Sequence, residues 1–148
     1  MQSTPNTDPP AYKPRILIAE DEHDIRANLS RLLRMEGFDV QIASNGREAL
    51  DLVHAQLPLL PDLVLTDMMM PELSGSQLLQ ALRSDPRTAS LQVVLLTARA
   101  DSTDVQEGLA QGAADYITKP FQRDVLLSHI RALLQERAGG ATRPEATS

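Results

Sequence analysis

The spacing of apolar residues changes several times between residues 15 and 137. Residues 16–19, Ile-Leu-Ile-Ala, form an unbroken apolar run, which suits a short strand covered on both faces. Ile25, Leu29, Leu32 and Leu33 then recur at helical spacing and stop before Gly37. Phe38, Val40 and Ile42 alternate with Asp39 and Gln41, which predicts a strand with one wetted face at a sheet edge. Residues 46–56 read as a second helix, with Ala49, Leu50 and Val53 inward. Leu63, Val64 and Leu65 mark a third strand, residues 76–83 a short helix, and residues 92–96 a fourth strand. Residues 101–111 give a weak helix: only Val105 and Leu109 form its stripe, and the internal Gly108 costs about 1 kcal/mol relative to Ala. Tyr116 and Ile117 mark a short fifth strand, and residues 125–137 a last helix with Leu126, Ile130, Leu133 and Leu134 at core spacing.

Five β-α units in strict alternation predict one α/β domain, a parallel sheet with helices on both faces. Right-handed crossovers leave few topologies. The polar second strand fits the edge of a sheet in the order 2-1-3-4-5, with a Rossmann half as the competing arrangement. Outside this domain, residues 1–14 hold four prolines among small polar neighbours and predict a disordered tail. Residues 138–148 predict a flexible tail or linker.

Composition narrows the chemistry. The 148-residue chain has no Cys, which excludes disulfides, thiolate metal sites and cysteine nucleophiles. Aromatics are only 3%, too few for a base-stacking platform. A net charge of −6 leaves no basic excess for nucleic-acid phosphates. No apolar run approaches the ~18 residues of a membrane span, and the N-terminus lacks the pattern of a signal peptide. The expectation is a cytoplasmic protein without membrane or direct nucleic-acid contacts.

Ligands of open α/β sheets bind beyond the carboxyl ends of the strands. Glu20 and Asp21 follow the first strand, Asp67 the third, Thr97 the fourth, and Lys119-Pro120 the fifth. In the order 2-1-3-4-5 the first and third strands are neighbours, so Glu20, Asp21 and Asp67 converge. Three carboxylates at one point repel one another, and a hard divalent cation relieves that. An oxygen-only donor set selects Mg²⁺, with Mn²⁺ as a substitute. An aspartate beside such a cation can attack phosphorus, Lys119 can stabilise the transferred oxygens, and Thr97 can donate a hydroxyl to them. Taken singly, Asp67 reads as a strand end, Thr97 as a strand residue and Lys119 as a surface lysine. His23, His54 and His129 have no metal-spaced partners, and Met68, Met69 and Met70 read as loop packing.

Five segments in order carry a resemblance: Ile-Leu-Ile-Ala-Glu-Asp, Asp-Leu-Val-Leu-Thr-Asp-Met-Met-Met-Pro, Leu-Leu-Thr-Ala, Gly-Ala-Ala-Asp-Tyr and Lys-Pro-Phe. With them, residues 15–137 resemble the receiver domain of bacterial two-component response regulators. The resemblance implies a CheY-like, flavodoxin-like fold and a signalling role, not an enzyme with a separate substrate. It implies Asp67 as phosphoacceptor, and Asp21, Asp67 and the Met69 carbonyl as direct Mg²⁺ ligands, with Glu20 acting through water. Thr97 and Tyr116 resemble the switch pair, and Lys119 the phosphate-binding lysine before a cis bond to Pro120. The implied partners are a sensor histidine kinase or histidine phosphotransfer protein, and a downstream protein on the surface of the weak helix, fifth strand and last helix. That surface also suits a phosphorylation-dependent homodimer.

Three rivals fit less well. A haloacid-dehalogenase-like phosphatase needs an Asp where Met69 stands. A flavodoxin-like mononucleotide binder needs a phosphate loop where Glu20 to Asp24 would repel the phosphate. A pseudo-receiver acting only as an interaction module would have lost Asp67, Thr97 or Lys119. The apolar Leu57-Pro58-Leu59-Leu60-Pro61 connection departs from the commonest pattern, and Met69 and Arg99 stand where the phosphate lifetime would be set.

Overall fold

In the computed structural model, residues 13–99 and 103–142 are described. Among them, strands β1 (Arg15–Ala19), β2 (Asp39–Ala43), β3 (Leu63–Asp67), β4 (Val93–Thr97) and β5 (Asp115–Thr118) alternate with five helices. These are α1 (His23–Met35), α2 (Gly46–Gln56), α3 (Gly75–Ser84), α4 (Thr103–Ala110) and α5 (Arg123–Thr142). The strands are parallel in the order β2-β1-β3-β4-β5. Every residue of β3 and β4 is buried, including Thr66, Asp67 and Thr97 beyond the apolar runs 63–65 and 93–96.

Successive strand residues point to opposite faces, and this divides the core into two layers. Leu17, Val64, Val93 and Leu95 pack with Leu78, Leu79 and Leu82 of α3, Ala49 and Val53 of α2, and Val105 of α4. Ile16, Ile18, Leu63, Leu65, Val94 and Leu96 pack with Leu29 and Leu33 of α1 and Leu126 and Ile130 of α5. Each fully buried leucine or isoleucine contributes roughly 1.5–3 kcal/mol.

The helix ends are set by local chemistry. Gly37 adopts φ +96° after α1. Its amide donates to Arg34 O, and that of Phe38 donates to Leu33 O, so two terminal carbonyls are satisfied. The Asn45 side chain accepts from the Glu48 amide at the start of α2. Ser74 and Gln77 exchange side-chain and backbone bonds in a capping box that opens α3.

Several expectations need correction. Pro14 is not tail: its carbonyl accepts from Asp39 N and extends the β1–β2 pairing. The rest of the predicted N-terminal tail, residues 1–12, and residues 143–148 lie outside the described residues. The last helix starts at Arg123 and continues to Thr142, past Arg137. Gly139 and Gly140 cost about 1 kcal/mol each relative to Ala, but a nucleated helix propagates through them. Ile42 is 43% exposed: it lies on the edge strand beside α1, in an open groove that it lines with Ala27, Ser30 and Met35. Leu109 is 38% exposed: α4 faces the sheet through Val105 and Gly108 instead. A side-chain carbon at Gly108 would lie 2.5 Å from Leu95 Cδ1, so the glycine permits a close approach. In the connection before β3, Leu57–Pro58 is a cis peptide, Leu60 packs on the core, and Leu59 is 68% exposed.

Candidate phosphoacceptor site

The carboxyl ends of β1 and β3 lie side by side, with Ala19 in register with Thr66. This brings Glu20, Asp21 and Asp67 together: one carboxylate oxygen from each lies within 4.8 Å of the others. Glu20 and Asp67 are buried and Asp21 is exposed, so the cluster forms the floor and lip of a corner open on one side. Lys119, at the end of β5, reaches across it. Its Nζ lies 3.2 Å from Glu20 Oε1 and 3.1 Å from Asp67 Oδ2. Its amide donates to Thr97 O at 2.7 Å, and the Lys119–Pro120 peptide that follows is cis.

Burial pushes the Glu20 carboxyl above its usual range, and the Asp67 carboxylate adds to the rise. The Glu22 amide, donating to Glu20 Oε2 at 3.0 Å, and Lys119 pull the other way. Burial draws the Lys119 ammonium down, but Asp67 and Glu20 outweigh it and hold the group above the usual lysine value. One lysine thus offsets part of the charge of three carboxylates, and an anionic excess remains.

The β3–α3 loop is held by backbone contacts that only glycine allows. Gly75 N donates to Met68 O, and a side-chain carbon at Gly75 would lie 2.2 Å from Asp67 O. Gly46 N likewise donates to Leu73 O, where such a carbon would lie 2.1 Å away. Glu72 takes φ +69° at the turn. Asp67 therefore sits on a backbone fixed from both sides. The Met69 amide lies 3.5 Å from Asp67 Oδ1, and its side chain is 72% exposed at the rim.

Thr97 is buried at the end of β4, but its hydroxyl is engaged within its own loop. It donates to Arg99 O and accepts from Arg99 N, both at 3.1 Å. Tyr116 is half-buried in β5, in register with Leu95 and packed on the α2–α3–α4 core layer. The geometry thus gathers Glu20, Asp21, Asp67 and Lys119 at one corner, with Thr97 and Tyr116 leading away from it toward α4. His129 Nδ1 lies 2.6 Å from Asp115 Oδ2 and so pairs with β5. His54 lies 3.6 Å from Asp85.

A family model for the response regulator receiver domain matches residues 16–131. The chain belongs to the response regulator receiver family. It is 42% identical over 122 residues to the DNA-binding dual master transcriptional regulator RpaA of a Synechocystis species, covering 82% of this chain and 49% of that protein. It is 41% identical over 121 residues to the response regulator MprA of Mycolicibacterium vanbaalenii, covering 82% and 50%. The chain thus spans about half the length of these curated relatives. Among solved structures, it resembles the signal receiver domain of a signal transduction histidine kinase from Syntrophus aciditrophicus, with TM-score 0.76, 36% identity, and 88% and 93% of the two chains covered. It also resembles the receiver domain of the sensor histidine kinase PA1611 of Pseudomonas aeruginosa, with TM-score 0.75, 26% identity, and 84% and 99% covered. That receiver domain was solved with a magnesium ion coordinated in its active-site cleft. The present receiver domain is therefore a signalling domain of two-component systems. No helix among its described residues is long and apolar enough to cross a membrane.

One site residue escapes the sequence reading. Arg26, in the second turn of α1, donates through Nη1 to Glu20 O at 2.9 Å and Asp21 O at 3.4 Å. Its signal in sequence is a cation close behind an acidic helix start, where the helix dipole disfavours one.

Proposed function

We propose that Asp67 accepts a phosphoryl group from a phosphohistidine on a sensor kinase or phosphotransfer protein. The observation that carries this reading is the corner itself: three carboxylates within 4.8 Å, two of them held by one lysine. Its donor set is oxygen only and its surplus charge is negative, which fits Mg²⁺ or Mn²⁺. Asp21, Asp67 and the Met69 carbonyl would hold the ion directly, with Glu20 acting through water. When bound, such an ion supplies charge neutralisation for the carboxylates and the incoming phosphoryl oxygens.

The chain's own residues do the rest. An Asp67 oxygen attacks phosphorus, the O–P bond forms as the P–N bond breaks, and the histidine nitrogen leaves with the electron pair. Lys119 needs little movement to pass from the Asp67 carboxylate to a phosphoryl oxygen, where it acts as a point charge. The buried floor of the corner restricts water, and the exposed Met69 and Arg99 set how readily water returns to hydrolyse the product. Self-phosphorylation and self-dephosphorylation are the only chemistry assigned.

The product adds about −1.5 to −2 charge to a fixed pocket. The Thr97 hydroxyl exchanges its two bonds to Arg99 for a phosphoryl oxygen, Tyr116 turns into the space that opens, and α4 follows. The surface of α4, β5 and α5 then meets a downstream protein or a second copy of this domain. With a net charge of −6, the chain has no basic excess for phosphates, so the reading gives it protein partners.

Incubation with Mg²⁺ and acetyl phosphate is expected to give one acid-labile phosphate per chain. Asp67→Asn is expected to take up none. Stoichiometric labelling of that variant would contradict the assignment. Tyr116→Ala is expected to leave labelling intact while weakening the phosphorylation-dependent response of the α4–β5–α5 surface.

A further inference from the structure

We propose that Arg26 is a positioning residue of the acidic corner, fixing the loop from which Glu20 and Asp21 present their carboxylates to a divalent cation. This rests on the cation-binding reading above. Within the loop between β1 and α1, Glu22 N donates to Glu20 Oε2 at 3.0 Å. Glu20 N donates to Ala43 O, and Glu22, the residue before α1, makes no side-chain bond that caps the helix. The Glu20 and Asp21 carbonyls share a single guanidinium nitrogen, Arg26 Nη1, at 2.9 and 3.4 Å. Their side chains are thereby left for the corner.

The placement of Arg26 runs against its local preference. A cation near a helix N-terminus opposes the dipole, by roughly 0.3–1 kcal/mol when exposed. A residue that breaks a local rule without being buried calls for a compensating contact. Here the compensation is the pair of charge-assisted bonds to the loop carbonyls. Bonds from Ser44 N and Oγ hold the Glu48 carboxyl below its usual range, and the charge of Arg26 adds to that. Groups that orient metal ligands without touching the metal typically change affinity 10–100-fold when removed.

The sign of the effect separates positioning from charge. If Arg26 acted only through its positive charge, removing it would tighten cation binding. If it positions the loop, removing it weakens binding. Calorimetric titration of the whole chain with MgCl₂ reads this directly. Arg26→Met is expected to weaken Mg²⁺ binding about tenfold, with the metal-free thermal midpoint and circular dichroism little changed, and Arg26→Lys to recover part of the loss. Should Arg26→Met fail to fold, Arg26→Gln carries the same expectation. Binding as tight as or tighter than wild type in the Met or Gln variant, or no recovery by lysine, overturns the role of Arg26 while leaving the site intact. Failure of the wild type to bind Mg²⁺, or undiminished binding by Asp21→Asn, overturns the cation site and this proposal with it.

Discussion

Helices α3 and α4 pack on the same layer of the core but are attached very differently. α3 opens with a capping box and buries Leu78, Leu79 and Leu82 completely. α4 is two residues shorter, and among its described residues Val105 is the buried apolar side chain, with Gly108 lying against Leu95. α3 is the helix that follows Asp67, whereas α4 is the helix that follows Thr97. The contrast shows where a receiver can keep its chemistry and where it can register a change. Asp67, the proposed acceptor, ends a strand whose following loop is clamped at Gly46 and Gly75, and the element beyond Thr97 can be displaced without dismantling the core.

Four substitutions probe that contrast, in order of decreasing consequence. Leu82→Ala in α3 should cost about 2–5 kcal/mol of global stability, read by urea unfolding. Val105→Ala in α4 should cost about 1–2 kcal/mol, at about 0.8 kcal/mol per methylene equivalent. It should speed amide exchange in α4 while leaving that of α3 unchanged; equal acceleration in both helices would erase the distinction. Gly108→Ala gains about 1 kcal/mol of helix propensity but places a carbon 2.5 Å from Leu95 Cδ1. Overpacking of this kind costs about 1–3 kcal/mol, so the thermal midpoint should fall slightly. A rise would mean that α4 already stands off the sheet.

The weakest of the four concerns pH and the far end of α3. Bonds from the Arg87 side chain and amide hold Asp85 down to about 2, from an ordinary value of 3.8. A depressed carboxyl stabilises above its unfolded value and loses that contribution as pH falls through its folded one. Asp85→Asn should therefore be slightly less stable than wild type at pH 6, with the gap closing between about pH 4 and pH 2. The pair is exposed, so the gap should be small and should shrink further in salt. The end of α4 is tied instead by α3: Arg83 Nη2 donates to Gly112 O at 2.7 Å.

Much of this architecture is legible in the amino-acid sequence. The sheet order follows from the period of the apolar positions and from the polar character of residues 39–42. The corner follows from asking which residues end each strand, since neighbouring parallel strands must bring their carboxyl ends together. Where periodicity fails, the cause is three-dimensional. Leu109 continues a helical stripe, but the helix turns its glycine to the sheet, and a glycine counts as weakness in a sequence when its use is proximity. Ile42 keeps its alternation, but beside the small Ala27 and Ser30 of α1 an open groove leaves it uncovered. Pro14 reads as a breaker, yet its carbonyl is free to pair. Arg26 leaves only a faint trace in sequence, a cation just behind an acidic helix start, because its contacts are to backbone, which carries no residue-specific pattern. The pairing of Thr97 with the Arg99 backbone is hidden for the same reason.

Phosphoryl chemistry at a fixed corner should thus be felt mainly by the loosely attached helix. The decisive experiment is amide hydrogen exchange of the whole chain, compared before and after phosphorylation with Mg²⁺ and acetyl phosphate. Changed protection is expected in α4 and β5, with β1, β3 and α3 unaltered apart from amides at the corner itself. Unchanged exchange in α4, or a change spread evenly over α3 and α4, would contradict this division of labour.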